Sequence, residues 1–135
     1  MIVPALVIAM TLAPTLSVRV EGARNARGLI RLALFHSAEG FPEDHPKAVR
    51  TLSVAAAGAV EVTLQDVPEG TWALAVLHDE NADGRLDKNL LGVPREGICV
   101  SGLSGRMWRI PTFEDARFVL PAKGLKLTLG LQYWL

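Results

Sequence analysis

The chain has 135 residues, with 14 basic and 14 acidic side chains balancing to zero net charge, and half of its residues are hydrophobic. That length is one domain, the charge balance excludes the basic surplus of a dedicated nucleic-acid binder, and the apolar content excludes a disordered chain. A single cysteine, Cys99, excludes an internal disulfide framework and a cysteine-based zinc finger.

Residues 1–17 carry no charge, and Ile2 to Leu12 form a largely apolar run that holds Pro4. The run is shorter than the roughly 20 residues a membrane-spanning helix needs. It matches the apolar region of a secretory signal peptide, with Thr15 and Ser17 as the small residues of a cleavage site. It lacks a basic first segment and a clean A-x-A. The expectation is a signal peptide over residues 1–17 and one mature domain over 18–135. That domain is exported to the periplasm or the extracellular space and has no membrane span of its own. The competing reading is a buried first strand. No cysteine stands near the N-terminus to carry a lipid.

From Leu16 onward the dominant period is two. Leu16, Val18 and Val20 alternate with Ser17, Arg19 and Glu21, the pattern of a half-buried strand. Asn25-Ala26-Arg27-Gly28 is a turn cluster, and Leu29 to Phe35 is a second strand, so the pair is expected to form a hairpin. Residues 36–46 hold Gly40, Pro42 and Pro46 and read as a loop, and Glu43 to Val49 is the one short stretch with a hint of helical period. Ala48 to Val54 is a third strand. Val60, Val62 and Leu64 alternate with polar residues in a fourth. The turn Asp66-Val67-Pro68-Glu69-Gly70 leads to a fifth, Thr71 to His78. This fifth strand is apolar on both faces, which places it centrally in a sheet. Arg117 to Leu120 and Leu125 to Tyr133 are two more strands. About seven short antiparallel strands in one domain predict an all-β, Greek-key β-sandwich.

Between the fifth strand and Arg117 lies a segment, Asp79 to Ala116, with little periodicity. Loops of that length usually bind or act. It opens with Asp79-Glu80-Asn81-Ala82-Asp83-Gly84-Arg85-Leu86-Asp87. Oxygen donors at alternate positions followed by a glycine are what a Ca²⁺ loop needs. Asp79, Asn81 and Asp83 would offer side-chain oxygens, Arg85 its carbonyl, and Asp87 a direct or water-mediated oxygen. The twelfth position is Leu90, where an EF-hand has a bidentate Glu, and a strand rather than a helix precedes the loop. The expected site is therefore a weak Ca²⁺ loop in a β setting, completed by Glu80, Glu96 or Asp115. The competing reading is a turn in which Asn and Asp bond their own backbone. Phe113 is expected to anchor the later part of the segment onto the core.

Enzymatic signatures are missing. There is no G-x-S-x-G, no H-E-x-x-H, no phosphate-binding loop and no dinucleotide fingerprint, so no organic cofactor is expected. His36, His45 and His78 are scattered. His78 beside Asp79 offers a general base, although a lone histidine is more often structural. Cys99 reads as a small buried hydrophobe. Trp108 and Trp134 read as core or edge residues before they read as a sugar platform.

Several stretches together resemble the DUF2141 family of bacterial proteins. They are Gly28-Leu29-Ile30-Arg31-Leu32-Ala33-Leu34-Phe35 with Gly40-Phe41-Pro42, Val67 to Val76 running into His78 to Asp87, Leu91 to Gly97, and Phe113-Glu114-Asp115-Ala116. The resemblance runs from about Val18 to Tyr133. It departs from the family pattern at Ile98 to Gly102 and at Met107 to Ile110. It implies an exported, periplasmic or envelope-associated β-sandwich and supplies no activity. The strand followed by D-x-N-x-D-G-x-x-D is also similar to the calcium loop of Cna-type B repeats, which share a prealbumin-like sandwich.

The expected function is a non-enzymatic, exported module whose acidic loop, with Ca²⁺, presents a surface to a protein or envelope component. The alternatives are a carboxylate-dependent hydrolase or carbohydrate-active enzyme and a carrier of a small apolar ligand between its sheets.

Overall fold

The computed structural model describes residues 13–103 and 106–135. Most of the expected signal peptide, residues 1–12, lies outside them. The described residues form eight strands: β1 (Leu16–Glu21), β2 (Leu29–Phe35), β3 (Arg50–Ala55), β4 (Ala59–Leu64), β5 (Gly70–Asp79), β6 (Gly97–Val100), β7 (Phe118–Leu120) and β8 (Leu125–Gly130). Among the described residues, helix is confined to one 3-10 turn at His45–Lys47 and the single-turn α1 (Phe113–Ala116). The first of these is all that becomes of the helical hint at Glu43 to Val49.

The expected all-β sandwich is what forms. One sheet has the order β4-β1-β8, and the other has β3-β2-β5-β6 with β7 also paired to β5. The chain crosses between sheets after β1, β3, β4 and β7. Pairing is antiparallel except between β1 and β8, which run parallel with Leu16 beside Leu125 and Val20 beside Leu129.

Period-two patterning explains the core. Leu16, Val18 and Val20 of β1, Val62 and Leu64 of β4, and Leu129 of β8 face Ile30, Leu32 and Leu34 of β2, Trp72, Leu74 and Val76 of β5, and Cys99 of β6. The outer face of the larger sheet is buried as well. Ala33, Phe35, Ala73, Ala75, Ile98 and Val100 lie under Phe41, Leu86, Met107, Phe113 and Ala116 from the connecting segments and Trp134 from beyond β8. With both faces covered and neighbours on both sides, β5 is central, as its two-sided apolar sequence requires.

Two expectations need correction. β1 and β2 do not form a hairpin, because they belong to different sheets and residues 22–28 carry the chain across the sandwich. Alternation fixes which face a strand buries but not which strand lies beside it. The strand count rises to eight because β6 sits inside the aperiodic segment. All four of its residues are buried, so it has no alternation to detect.

Residues 14–17 belong to the sandwich in this structure. Pro14 is buried and its carbonyl accepts the Val67 N–H at 3.2 Å. The Thr15 carbonyl accepts the Leu125 N–H at 3.1 Å, and Leu16 is fully buried in β1.

Candidate functional site

The last two residues of β5 point to opposite faces of the sheet and solve two different problems. His78 closes the inner core and is fully buried. Its Nε2 lies 2.8 Å from the Arg27 carbonyl, which can only accept, so Nε2 carries a hydrogen. Its Nδ1 lies 2.6 Å from the Tyr133 hydroxyl, and that hydroxyl accepts the Arg24 N–H at 3.2 Å. Burial pushes the Tyr133 phenol above its ordinary range. Gly97 makes this packing achievable, since a Cβ there would fall 2.5 Å from Cζ of Tyr133. With both ring nitrogens engaged and no exposure, His78 is a structural histidine.

Asp79 points outward into the acidic loop and is also fully buried. Arg31, on the neighbouring strand β2, donates from Nε to Oδ2 at 2.6 Å. The Gly84 N–H donates to the same oxygen at 2.8 Å, and the Asp83 N–H to Oδ1 at 3.1 Å. The loop therefore folds back over Asp79, with Ala82 (φ 55°) and Gly84 (φ 80°) in the left-handed region. On the other side, Gly28 (φ 68°) packs so tightly that a Cβ would fall 2.0 Å from the Asp79 carbonyl oxygen.

Glu96, just before β6, closes the loop from its far end. It is 3% exposed, and its two oxygens accept the N–H groups of Glu80 (2.6 Å) and Asp87 (3.0 Å). Burial raises the Glu96 carboxyl above its ordinary range, against the pull of those two donors. Asp79, Asp83 and Glu96 each bring a carboxylate oxygen within 4.8 Å of the others. Asp83 is the exposed member and is held low, chiefly by the Arg85 N–H donating to Oδ1 at 2.9 Å.

The remaining expected ligands are placed differently. Asn81 donates to Asp87 Oδ2 at 2.6 Å and to Asp83 at 3.4 Å, while its Oδ1 accepts the Asp83 N–H at 3.3 Å. Asp87 thus lies in the loop but outside the converging trio. Arg85 contributes its N–H to the Asp83 contact. Of the three carboxylates expected to complete the site, only Glu96 arrives. Glu80 is ion-paired with Arg24, whose guanidinium holds it below its ordinary range. Asp115 is the third residue of α1, in a capping box with Thr112, and pairs with Arg109 at 2.7 Å.

Elsewhere the expectations resolve simply. Phe113 packs edge-on against Phe41 at 6.1 Å and anchors its segment. Cys99 lies in the inner core, where burial pushes its thiol well above the ordinary range and removes it as a nucleophile. Trp134 packs in the outer layer. Trp108 is 85% exposed, with the Arg106 guanidinium 5.6 Å from its ring centre, so it is not a core residue. Sequence reasoning missed Arg31 as the partner of Asp79, although Arg31 is the only charge in β2. It also missed the network joining His78, Tyr133 and Arg24, because the two ends of the chain meet there only after folding.

Among the described residues, no helix is long and apolar enough to cross a membrane. Neither a curated protein nor a solved structure matches the chain. The sequence profile of DUF2141, described as an uncharacterized protein conserved in bacteria, matches residues 18–128, and the chain belongs to that family.

Proposed function

We propose that the chain is an exported, non-enzymatic β-sandwich module whose acidic loop takes a Ca²⁺ ion and presents a binding surface. The observation that carries this reading is the convergence of Asp79, Asp83 and Glu96 oxygens within 4.8 Å. Unit charges about 4 Å apart repel by roughly 4 kcal/mol at the effective dielectric of a protein surface. Arg31 offsets one of the three charges and leaves two. A divalent cation with a preference for oxygen matches that remainder, and Asn81, Asp87 and the Arg85 carbonyl lie in the same loop to complete its shell. The metal would fix a loop that otherwise repels itself.

Export is supported by the uncharged apolar stretch at residues 1–17. The non-enzymatic reading is supported by carboxylates that converge on one point instead of facing each other across an open cleft. The carrier alternative has less support, because apolar side chains of both sheets fill the space between them.

One observation favours a second reading, a self-bonded turn without metal. Asp79 already holds Arg31 and two backbone N–H groups. Thermal unfolding in EDTA and in a few millimolar Ca²⁺, beside Asp83→Ala, separates the two. A midpoint raised by several degrees in Ca²⁺, and no rise in the variant, supports the metal. No Ca²⁺-dependent shift leaves the self-bonded turn. Fractionation of cells producing the full chain tests export.

A further inference from the structure

The turn that follows the acidic loop leaves two leucines in water. Leu90 and Leu91 are 105% and 87% exposed, side by side. Their turn is tightly built. Lys88 and Pro94 form a bridge, the Asn89 N–H donates to the Val93 carbonyl at 2.9 Å, and the Gly92 N–H returns to the Asn89 carbonyl at 3.0 Å. The Asn89 side-chain oxygen accepts the N–H groups of Leu91 (2.9 Å) and Val93 (3.0 Å). Below, the Arg95 N–H donates to the Asp87 carbonyl at 2.7 Å. None of these bonds uses a leucine side chain. Leu86, earlier in the same segment, packs into the outer layer, so the fold uses that leucine and leaves these two in water.

The shape selects the occupant. Two adjacent side chains on a projecting turn form a convex tip, which a soft interface can accept. The charges behind the tip narrow the choice further. A cleft of about 450 Å³ at the neck of the turn is lined by Arg24, Arg27, Lys88 and Arg95, among Glu80, Asn81, Asp87 and Glu96. Arg24 is held by Glu80 and Lys88 by Glu43. Among the described residues, the guanidinium groups of Arg27 and Arg95 have no hydrogen-bonding or ion-pair partner and are available to phosphate. We propose that this turn is a docking tip for an anionic lipid surface, with Leu90 and Leu91 entering the acyl boundary and Arg27 and Arg95 meeting headgroup phosphates. The proposal rests on the turn and its cations and does not require the metal.

Co-sedimentation tests it. The purified chain is spun with vesicles of mixed phosphatidylglycerol and phosphatidylcholine, and with phosphatidylcholine alone, each in EDTA and in Ca²⁺. The expected result is pelleting with the anionic vesicles in at least one of the two buffers. The double variant Leu90→Ser, Leu91→Ser should bind at least about tenfold more weakly, as expected when two leucines no longer leave water. Arg95→Gln should weaken binding less. Three results overturn the proposal: no pelleting in either buffer, equal pelleting of the double variant, or equal pelleting with phosphatidylcholine alone. Leu91→Trp gives a readout that keeps the tip apolar. A blue-shifted emission on anionic vesicles supports insertion, and an unchanged spectrum refutes it. Calcium binding is read separately from the unfolding midpoint, so the metal reading and the lipid reading fail independently.

Discussion

The two faces of β5 hold themselves in place by different physics. Trp72, Leu74 and Val76 bury apolar area mainly against the strands of the opposing sheet. On the outer face Ala73 and Ala75 are small, and loop residues such as Phe41, Leu86 and Phe113 cover them. At the strand end the contrast sharpens. His78 satisfies its polar atoms with one carbonyl and one hydroxyl, whereas Asp79 gathers an arginine, two backbone amides and two further carboxylates around it. Stability resides where area is buried between sheets, and chemistry resides where polar side chains bond the backbone of a loop.

Breaking the inner face should cost most. A chain starting at Val18 loses Leu16, which is fully buried, and the carbonyls of Pro14 and Thr15 that accept Val67 and Leu125. A chain starting at Ala13 keeps all three. Removing one buried leucine side chain costs about 2–5 kcal/mol, and the lost backbone bonds add to it. Urea unfolding of the two truncations should place the shorter chain lower by at least that amount. Equal midpoints would mean that β1 begins after Ser17, and a leader ending at Ser17 would then be compatible with the fold. Within the intact chain, Leu74→Ala should cost about 2–5 kcal/mol by the same measurement.

The difference between the faces also explains what could be read from sequence. β1, β2, β4 and β8 show in the alternation of Leu16, Val18, Val20 and their counterparts, and β5 shows as a two-sided apolar run after a turn. β6 does not, because Gly97, Ile98, Cys99 and Val100 are all buried. The pairing of β1 with β8 joins residues more than a hundred positions apart, and local pattern carries no trace of it. The acidic loop announced itself through Asp79, Asn81 and Asp83. Its closure by Glu96 depends on where β6 begins, and so on the one strand the pattern hides. Arg31, the counter-charge, sits opposite Leu77 across a strand pair and becomes legible only with the register in hand.

The outer site should respond to a smaller change. Glu96→Gln keeps the size of the side chain but replaces one acceptor with a donor. Either the Glu80 or the Asp87 N–H then faces an amide nitrogen, an unmet bond worth about 1–3 kcal/mol. Relief of repulsion toward Asp79 and Asp83 works in the opposite direction and offsets part of that loss. Net destabilisation by urea unfolding in EDTA, well below that of Leu74→Ala, is the expected outcome. A more stable variant would show that repulsion outweighs the two backbone bonds.

The smallest expected effect separates the acidic trio from an acid that merely caps a turn. Asp115 accepts from Arg109 and from the Thr112 N–H, and these donors bring its carboxyl down from 3.8 to about 2. A carboxyl that ionises more readily in the folded chain binds fewer protons there than in the unfolded chain. Stability therefore rises with pH between about 2 and 4, is fully present above that window, and is lost as the pH falls through it. Asp115→Asn should flatten the dependence of the unfolding midpoint within that window. Glu96 has the opposite sign, because burial raises its carboxyl and the folded chain holds that proton longer. Glu96→Gln should therefore remove a fall in stability above the ordinary range of a glutamate, while Asp115→Asn removes a rise below it. Midpoints across the acid range for both variants would show whether the two acids, 19 positions apart in one segment, pull in opposite directions.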